Sequence, residues 1–267
     1  MWNDDKQFAE DKFEMPKEIR FDLSHSQMKN LPKTGFFNES ADDFGGCYLT
    51  FALIIFTCLI YVLQIAFSYG TGAEASDRLT DFGYCNFPAV FENGEFWRLL
   101  TCIFLHGSVG HLVGNMLILL ICGTRVERVL YRKYYLLLYF VGGFISSLAS
   151  AFYYHHVPMA FQIKIMNRSF KLLAYDPRAV GASGAIAALL GGLVIYKLFF
   201  SKISSSDAGS FSLLPFIISY ILLSVIVGLF ITEDGVDTAA HISGFLCGLV
   251  IMCILAFITM WKQNRQY

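Results

Sequence analysis

The sequence predicts an all-α membrane protein, a bundle of six transmembrane helices with a long interfacial first loop. Two observations lead there. Of 267 residues 55% are hydrophobic and only 15% charged, whereas a soluble domain carries about a quarter of its residues as Asp, Glu, Lys and Arg. The charges are also unevenly placed, 16 of the 41 lying within the first 46 positions. What remains is an apolar body with six charge-free stretches: Phe44 to Ala73, Leu99 to Thr124, Tyr134 to Ile163, Ala179 to Tyr196, Ala208 to Thr232, and Thr238 to Trp261. These contain 30, 26, 30, 18, 25 and 24 residues. About 20 apolar residues cross roughly 30 Å of hydrocarbon, so each stretch holds one span.

Residues 1–46 carry ten acids and six basic residues with Pro16 and Pro32. They lack the basic, apolar, small-residue order of a signal peptide, and their acids argue against a mitochondrial presequence. The expectation is a flexible cytosolic tail, followed by a six-span domain over 47–261 and a short tail at 262–267. Lys plus Arg number 14 on the side of both termini and 6 on the other, which places the termini in the cytosol. Arg125, Arg128, Arg132 and Lys133 between spans two and three contribute most locally. A multi-pass protein of the secretory pathway or plasma membrane is expected rather than one of the mitochondrial inner membrane.

Net charge of −1, with no basic stripe interleaved with aromatics, sets nucleic-acid binding aside. Seven cysteines lack metal-ligand spacing, and Cys58, Cys122, Cys247 and Cys253 lie in apolar runs where they read as small core residues. Neither a disulfide framework nor a metal site is implied, and no cofactor is expected. Two connections are long. Residues 69–105 contain Phe82, Tyr84, Phe87, Phe91, Phe96 and Trp97, an aromatic content suited to the membrane interface. Residues 155–178 form the second.

Ionisable or amide side chains inside spans are costly and mark function by default. Span two supplies His111 and Asn115, span four Ser183, and span six His241. All three spans enter from the non-cytosolic side with these residues near the entering end, so the four groups share one leaflet. His111 and Asn115, four residues apart, share a helix face. His106 reads as an interfacial loop histidine. Gly184, Ala188 and Gly192 repeat at four-residue spacing, as do Ala240, Gly244 and Gly248, and small residues so spaced let helix backbones touch. Ser183 and His241 then meet at the mouth of that contact, and a serine beside a neutral imidazole is an activated nucleophile. The bland alternatives are packing for Ser183 and interhelical hydrogen bonds for the histidines and Asn115. Asp237 either orients His241 as a third member or is a solvated residue of the acidic turn Glu233, Asp234, Asp237; its company favours the second.

Taken together, Gly94 to Met116 (GEFWRLLTCIFLHGSVGHLVGNM), Gly181 to Gly184 (GASG) and Ala240 to Gly248 (AHISGFLCG) resemble the motifs of the rhomboid family of intramembrane serine proteases, in the family's order on spans two, four and six. The resemblance covers roughly residues 47–261. It implies that Ser183 is the nucleophile and His241 its general base, without an acid. His111 and Asn115 would help the Ser183 amide stabilise the oxyanion. Trp97 and Arg98 match a structural pair of the first loop, and Glu127 a buried acid of span two. Gly181, Gly184, Gly244 and Gly248 are packing positions. Four residues after the serine, where the family often has a bulky side chain packed on the histidine, this chain has Ala187. Six spans are the minimal form; many eukaryotic members carry a seventh.

The expected reaction is acyl transfer through an acyl-enzyme, on the transmembrane helix of a single-span or multi-span membrane protein within lipid, near the non-cytosolic boundary. Span four, counted from Ser183 to Tyr196, is about 21 Å long, so its start is recessed and lines an aqueous cavity. The rival readings are a catalytically silent relative that binds membrane clients, which Ala187 favours, and a small transporter, which predicts polar groups in both leaflets.

Overall fold

The structure is a computed structural model, and it describes residues 47–69, 76–156, 178–200 and 237–264. The tail 1–46, the fifth predicted span at 208–232 and most of the loop 155–178 lie outside the described residues.

Among the described residues four helices are long and apolar enough to cross a membrane: α1 (Tyr48–Ala66), α4 (Val109–Val129), α5 (Arg132–His156) and α7 (Thr238–Asn264). Each is centred on a predicted gap, and three run past its charged border: α4 to Val129 beyond Thr124, α5 from Arg132 before Tyr134, and α7 to Asn264 beyond Trp261. A fifth, α6 (Ser183–Phe200), occupies the fourth gap. It runs 18 residues, about 27 Å at 1.5 Å each, and so extends four residues past the expected end at Tyr196. No Gly or Pro stops it there, and the long stem of Lys197 lets a charge remain in the last turn.

The centre of the bundle is α6. Ala182 and Ala185 to Leu190 are all buried to 1% exposure or less, as expected for a helix that is apolar all round. It packs mainly against α7 and α5, where Tyr135, Leu138 and Tyr139 are fully buried. The outer faces of α1 and α7 are apolar and open. Ile242, Leu246, Val250, Ile254 and Phe257 line an exposed apolar face of α7.

The small-residue stripes meet as the sequence predicts, with one change of partner. A Cβ at Gly244 would run into the Gly184 carbonyl, and one at Gly248 into that of Ala188. Gly192 instead faces Leu138 of α5, and Gly191 takes its place against Phe245 of α7. One residue is about 100° of helix rotation, enough to trade neighbours.

Between α1 and α4 the first loop is built rather than draped. Ser68–Tyr69 (β1) pairs antiparallel with Ser76–Asp77 (β2), followed by α2 (Arg78–Gly83), a π-helical turn at Pro88–Glu92, α3 (Arg98–Thr101) and a 3-10 turn at Cys102–Phe104. Asp77 caps α2 through Thr80 N at 2.7 Å. Arg98 holds the loop from within: its guanidinium donates to the carbonyls of Asp81 (2.9 Å) and Tyr84 (3.1 Å), pairs with Glu95, and lies over the Tyr84 ring. Trp97 Nε1 donates to the Phe82 carbonyl, and the two rings stack. The aromatics differ in exposure and partners. Phe82, Phe96 and Trp97 are exposed, whereas Phe87 stacks on His155 and packs on Phe152 of α5.

Glu127 anchors the opposite end of the bundle. It is 2% exposed and accepts from the amides of Leu49 and Thr50, both at 2.8 Å, and from the Thr50 hydroxyl at 2.7 Å. The first turn of α1 presents amides that have no intrahelical partner, so a carboxylate satisfies them.

Candidate active site

Ser183 is the first residue of α6 and half-buried, reached through Gly181 at φ +122°. An L side chain rarely takes that conformation, and a Cβ there would also lie 2.8 Å from the His111 ring and 3.4 Å from Asn115 Nδ2. The glycine thus lets the strand before Ser183 press against the two span-two residues. Asn115 is buried and His111 half-buried. Ser108 caps α4 by accepting from His111 N at 3.1 Å, which fixes where the helix begins.

His241 lies one turn into α7 and is half-buried. The contact between Gly244 and Gly184 brings the entering ends of α7 and α6 together, and Ala240 O lies 3.4 Å from where a Gly184 Cβ would be. Ser183 and His241 each adjoin this contact. Among the described residues no hydrogen bond joins their side chains, and such bonds are often long before substrate binds. Ala187 is fully buried.

A cavity of about 20 Å³ opens beside Ser183, lined by Cys102, Ser146, Ser150, Gly181 and Asp237 among others. A single water needs roughly 10–15 Å³ and two to four polar partners, so the cavity has room for one.

Two assignments from the sequence change. Asp237 is not a solvated turn residue: its carboxylate accepts from Ser150 Oγ at 2.5 Å and caps α7 through Ala240 N at 2.9 Å. Those bonds direct it toward α5, and only its backbone carbonyl reaches His241, through the helical bond from His241 N at 3.1 Å. Burial pushes its carboxyl above the usual range, against the pull of these donors. His106, in turn, is not an interfacial histidine. It is 2% exposed, its Nε2 accepts from Asn115 Nδ2 at 3.0 Å, and burial holds the ring neutral with its pKa pushed down to about 3.

Gln64 was absent from the sequence-based set and belongs with these residues. Its amide Oε1 accepts from His106 N at 3.1 Å, and its Nε2 donates to Thr80 Oγ1 at 2.7 Å and to the His106 carbonyl at 3.3 Å. Span one thereby fixes the loop that holds His106, and His106 fixes Asn115. An amide inside the first apolar gap was the available signal. Among the described residues no group of three or more His, Cys, Asp and Glu side chains converges as metal ligands would.

A family model for the rhomboid domain matches residues 93–257, from the first loop through most of α7. The chain belongs to the rhomboid family. RHOMBOID-like protein 4 of Arabidopsis thaliana is 33% identical over 181 residues, 68% of this chain and 39% of the relative. Rhomboid protease AarA of Providencia stuartii is 30% identical over 228 residues, 83% of this chain and 76% of the relative. Rhomboid protease GluP of Bacillus subtilis (strain 168) is 30% identical over 197 residues, 72% and 33% respectively. The chain thus spans most of AarA and well under half of the other two. The rhomboid domain contains all of His111, Asn115, Ser183 and His241.

Proposed function

We propose that this rhomboid is an intramembrane serine endopeptidase that cleaves transmembrane helices of membrane proteins near the non-cytosolic boundary, with Ser183 and His241 as a dyad. The observation that supports it most is the backbone contact of Gly184 with Gly244, flanked by Ser183 and His241, beside a Gly181 pressed onto His111 and Asn115.

In this reading His241 takes the Ser183 proton as the hydroxyl attacks a peptide carbonyl. The Ser183 amide, Asn115 Nδ2 and the His111 ring donate to the oxyanion, and His241 returns the proton to the leaving amine. A water at the Ser183 cavity then hydrolyses the acyl-enzyme. Asp237 takes no part as an acid, because its oxygens are committed to Ser150 and Ala240. Helical peptide bonds are shielded, so the substrate helix unwinds at the site, which Gly and other helix-weakening residues favour.

The test is cleavage of a model single-span substrate by the purified chain in detergent, beside Ser183→Ala, His241→Ala and the double variant. Residues acting as one unit are non-additive, so all three lose nearly the same activity. A serine-reactive fluorophosphonate labels the wild type and spares Ser183→Ala. Ala187 favours a silent, client-binding protein instead, and that reading predicts no cleavage and no labelling. The termini are proposed to face the cytosol. Asn167-Arg168-Ser169 and Asn38-Glu39-Ser40 are both acceptor sequences, and a glycan on Asn38 overturns this orientation.

A further inference from the structure

Cys85 and Cys102, 17 positions apart in the sequence, are brought together by the fold just behind the strand that leads to Ser183. The Cys85 thiol donates to the Ser147 carbonyl at 3.7 Å, and Cys102 Sγ lies 3.1 Å from the hydroxyl of the same residue, so that both thiols converge on Ser147. Both residues are buried, at 0% and 2% exposure. Their backbones grip one segment: Cys85 exchanges amide bonds with Ala179 at 3.0 and 2.9 Å, and the Cys102 carbonyl accepts from Gly181 N at 2.9 Å. The proposed mechanism uses neither thiol.

We propose that Cys85 and Cys102 are a disulfide-forming site, closed by exchange with a small disulfide such as glutathione disulfide as the first loop docks, so that a covalent clasp backs the segment 179–181. Two thiols that converge on one serine from separate segments need χ rotation, while the loop is still open, to reach the bonding distance of roughly 2.05 Å. The proposed orientation, on which the physiological setting of the bond rests, puts both residues on the side where disulfides persist.

The exchange balances without other reactants. The Cys102 thiolate attacks one sulfur of glutathione disulfide, whose S–S bond breaks and releases one glutathione. The Cys85 thiolate then attacks the Cys102 sulfur of the mixed disulfide, and the second glutathione leaves. Two protein thiols are oxidised, one glutathione disulfide is reduced to two thiols, and the protons from the cysteines end on glutathione. The neighbouring Cys102 side chain and burial both push the Cys85 thiol above its ordinary value, so exchange belongs to a stage when the loop is still open.

The experiment equilibrates the full chain in detergent across a series of glutathione buffers from reduced to oxidised, at a temperature just below its melting midpoint so that the loop opens. Free thiols are then alkylated after denaturation and mapped by peptide mass. The expected product of the oxidised buffers is a Cys85–Cys102 cross-linked peptide with the other five cysteines alkylated, and a melting midpoint about 5–10 °C above that of the reduced chain. Cys85→Ser and Cys102→Ser each remove both the cross-link and the redox dependence of melting. Full alkylation of both cysteines in the most oxidising buffer overturns the proposal, as does a cross-link to any other cysteine. Mass and melting do not depend on proteolysis, so a chain that cleaves nothing still tests the pair. A glycan on Asn38 refutes the orientation without touching this assay.

Discussion

Gly244→Ala tests whether backbone packing places the proposed dyad. A Cβ at 244 would lie 3.0 Å from the Gly184 carbonyl carbon and 3.3 Å from its Cα, with the carbonyl oxygen nearer still. Ordinary van der Waals contact begins near 3.4 Å. The obstacle is backbone one residue from Ser183, so no side chain can rotate out of the way. α7 must move off α6 by on the order of 1 Å and take His241 with it, and a misplacement of that size costs about 100-fold in turnover. This corresponds to ~2.7 kcal/mol of barrier. Gly248→Ala meets the Ala188 carbonyl in the same way, but seven residues from His241, about 10 Å along the helix. It is expected to lower the melting midpoint comparably and to cost less than about 10-fold in turnover. Ile242→Ala, on the exposed apolar face of α7, serves as the control and stays within about twofold. The assay is kcat and KM on a single-span substrate with melting measured in parallel; the loss at 244 falls on kcat. Turnover within about threefold of wild type in a folded Gly244→Ala protein would show that this contact does not place the pair.

Asn115→Ala removes a donor beside Gly181 and lowers turnover by about 10- to 1000-fold with little change in KM, and His106→Ala, which frees Asn115 rather than removing it, has a smaller effect in the same direction. A collapse of affinity with turnover kept would instead make Asn115 a substrate-binding residue. Asp237→Asn removes a carboxyl that burial raises above its ordinary value. The ionised form is the costly one, so the stability this acid contributes is present below about pH 3.9 and lost as pH rises through the higher folded value. Melting of the wild type relative to Asp237→Asn therefore declines from about pH 4 toward neutrality, and parallel melting curves refute the assignment. Glu127→Ala leaves the amides of Leu49 and Thr50 and the Thr50 hydroxyl without their acceptor, a loss of about 3–5 kcal/mol. Glu127→Gln keeps one acceptor oxygen and loses less, as thermal melting of both variants would read.

The sequence by itself determined that the chain lives in a membrane, roughly where its described helices fall, and which residues are candidates for chemistry. Charge spacing decides the first two, because hydrocarbon excludes ionised side chains over the length of a span. The cost of polar groups in lipid singles out His111, Asn115, Ser183 and His241, and the glycine and alanine spacings make α6 and α7 close neighbours. Tertiary structure alone decided how the polar groups divide their partners. Asp237 sits in an acidic turn and reads as a solvated residue, yet it is held by Ser150 on α5 and caps α7. His106 reads as an interfacial loop histidine, yet it is buried against Asn115 and held by Gln64 from span one. Nor does the sequence show that Cys85 and Cys102 meet at Ser147. Periodicity reports which face of one helix a residue occupies, and the burial of a loop residue depends on which other elements close over it. Those contacts join positions as far apart as 42 residues for Gln64 and His106 and 87 for Ser150 and Asp237, separations at which local pattern carries no information.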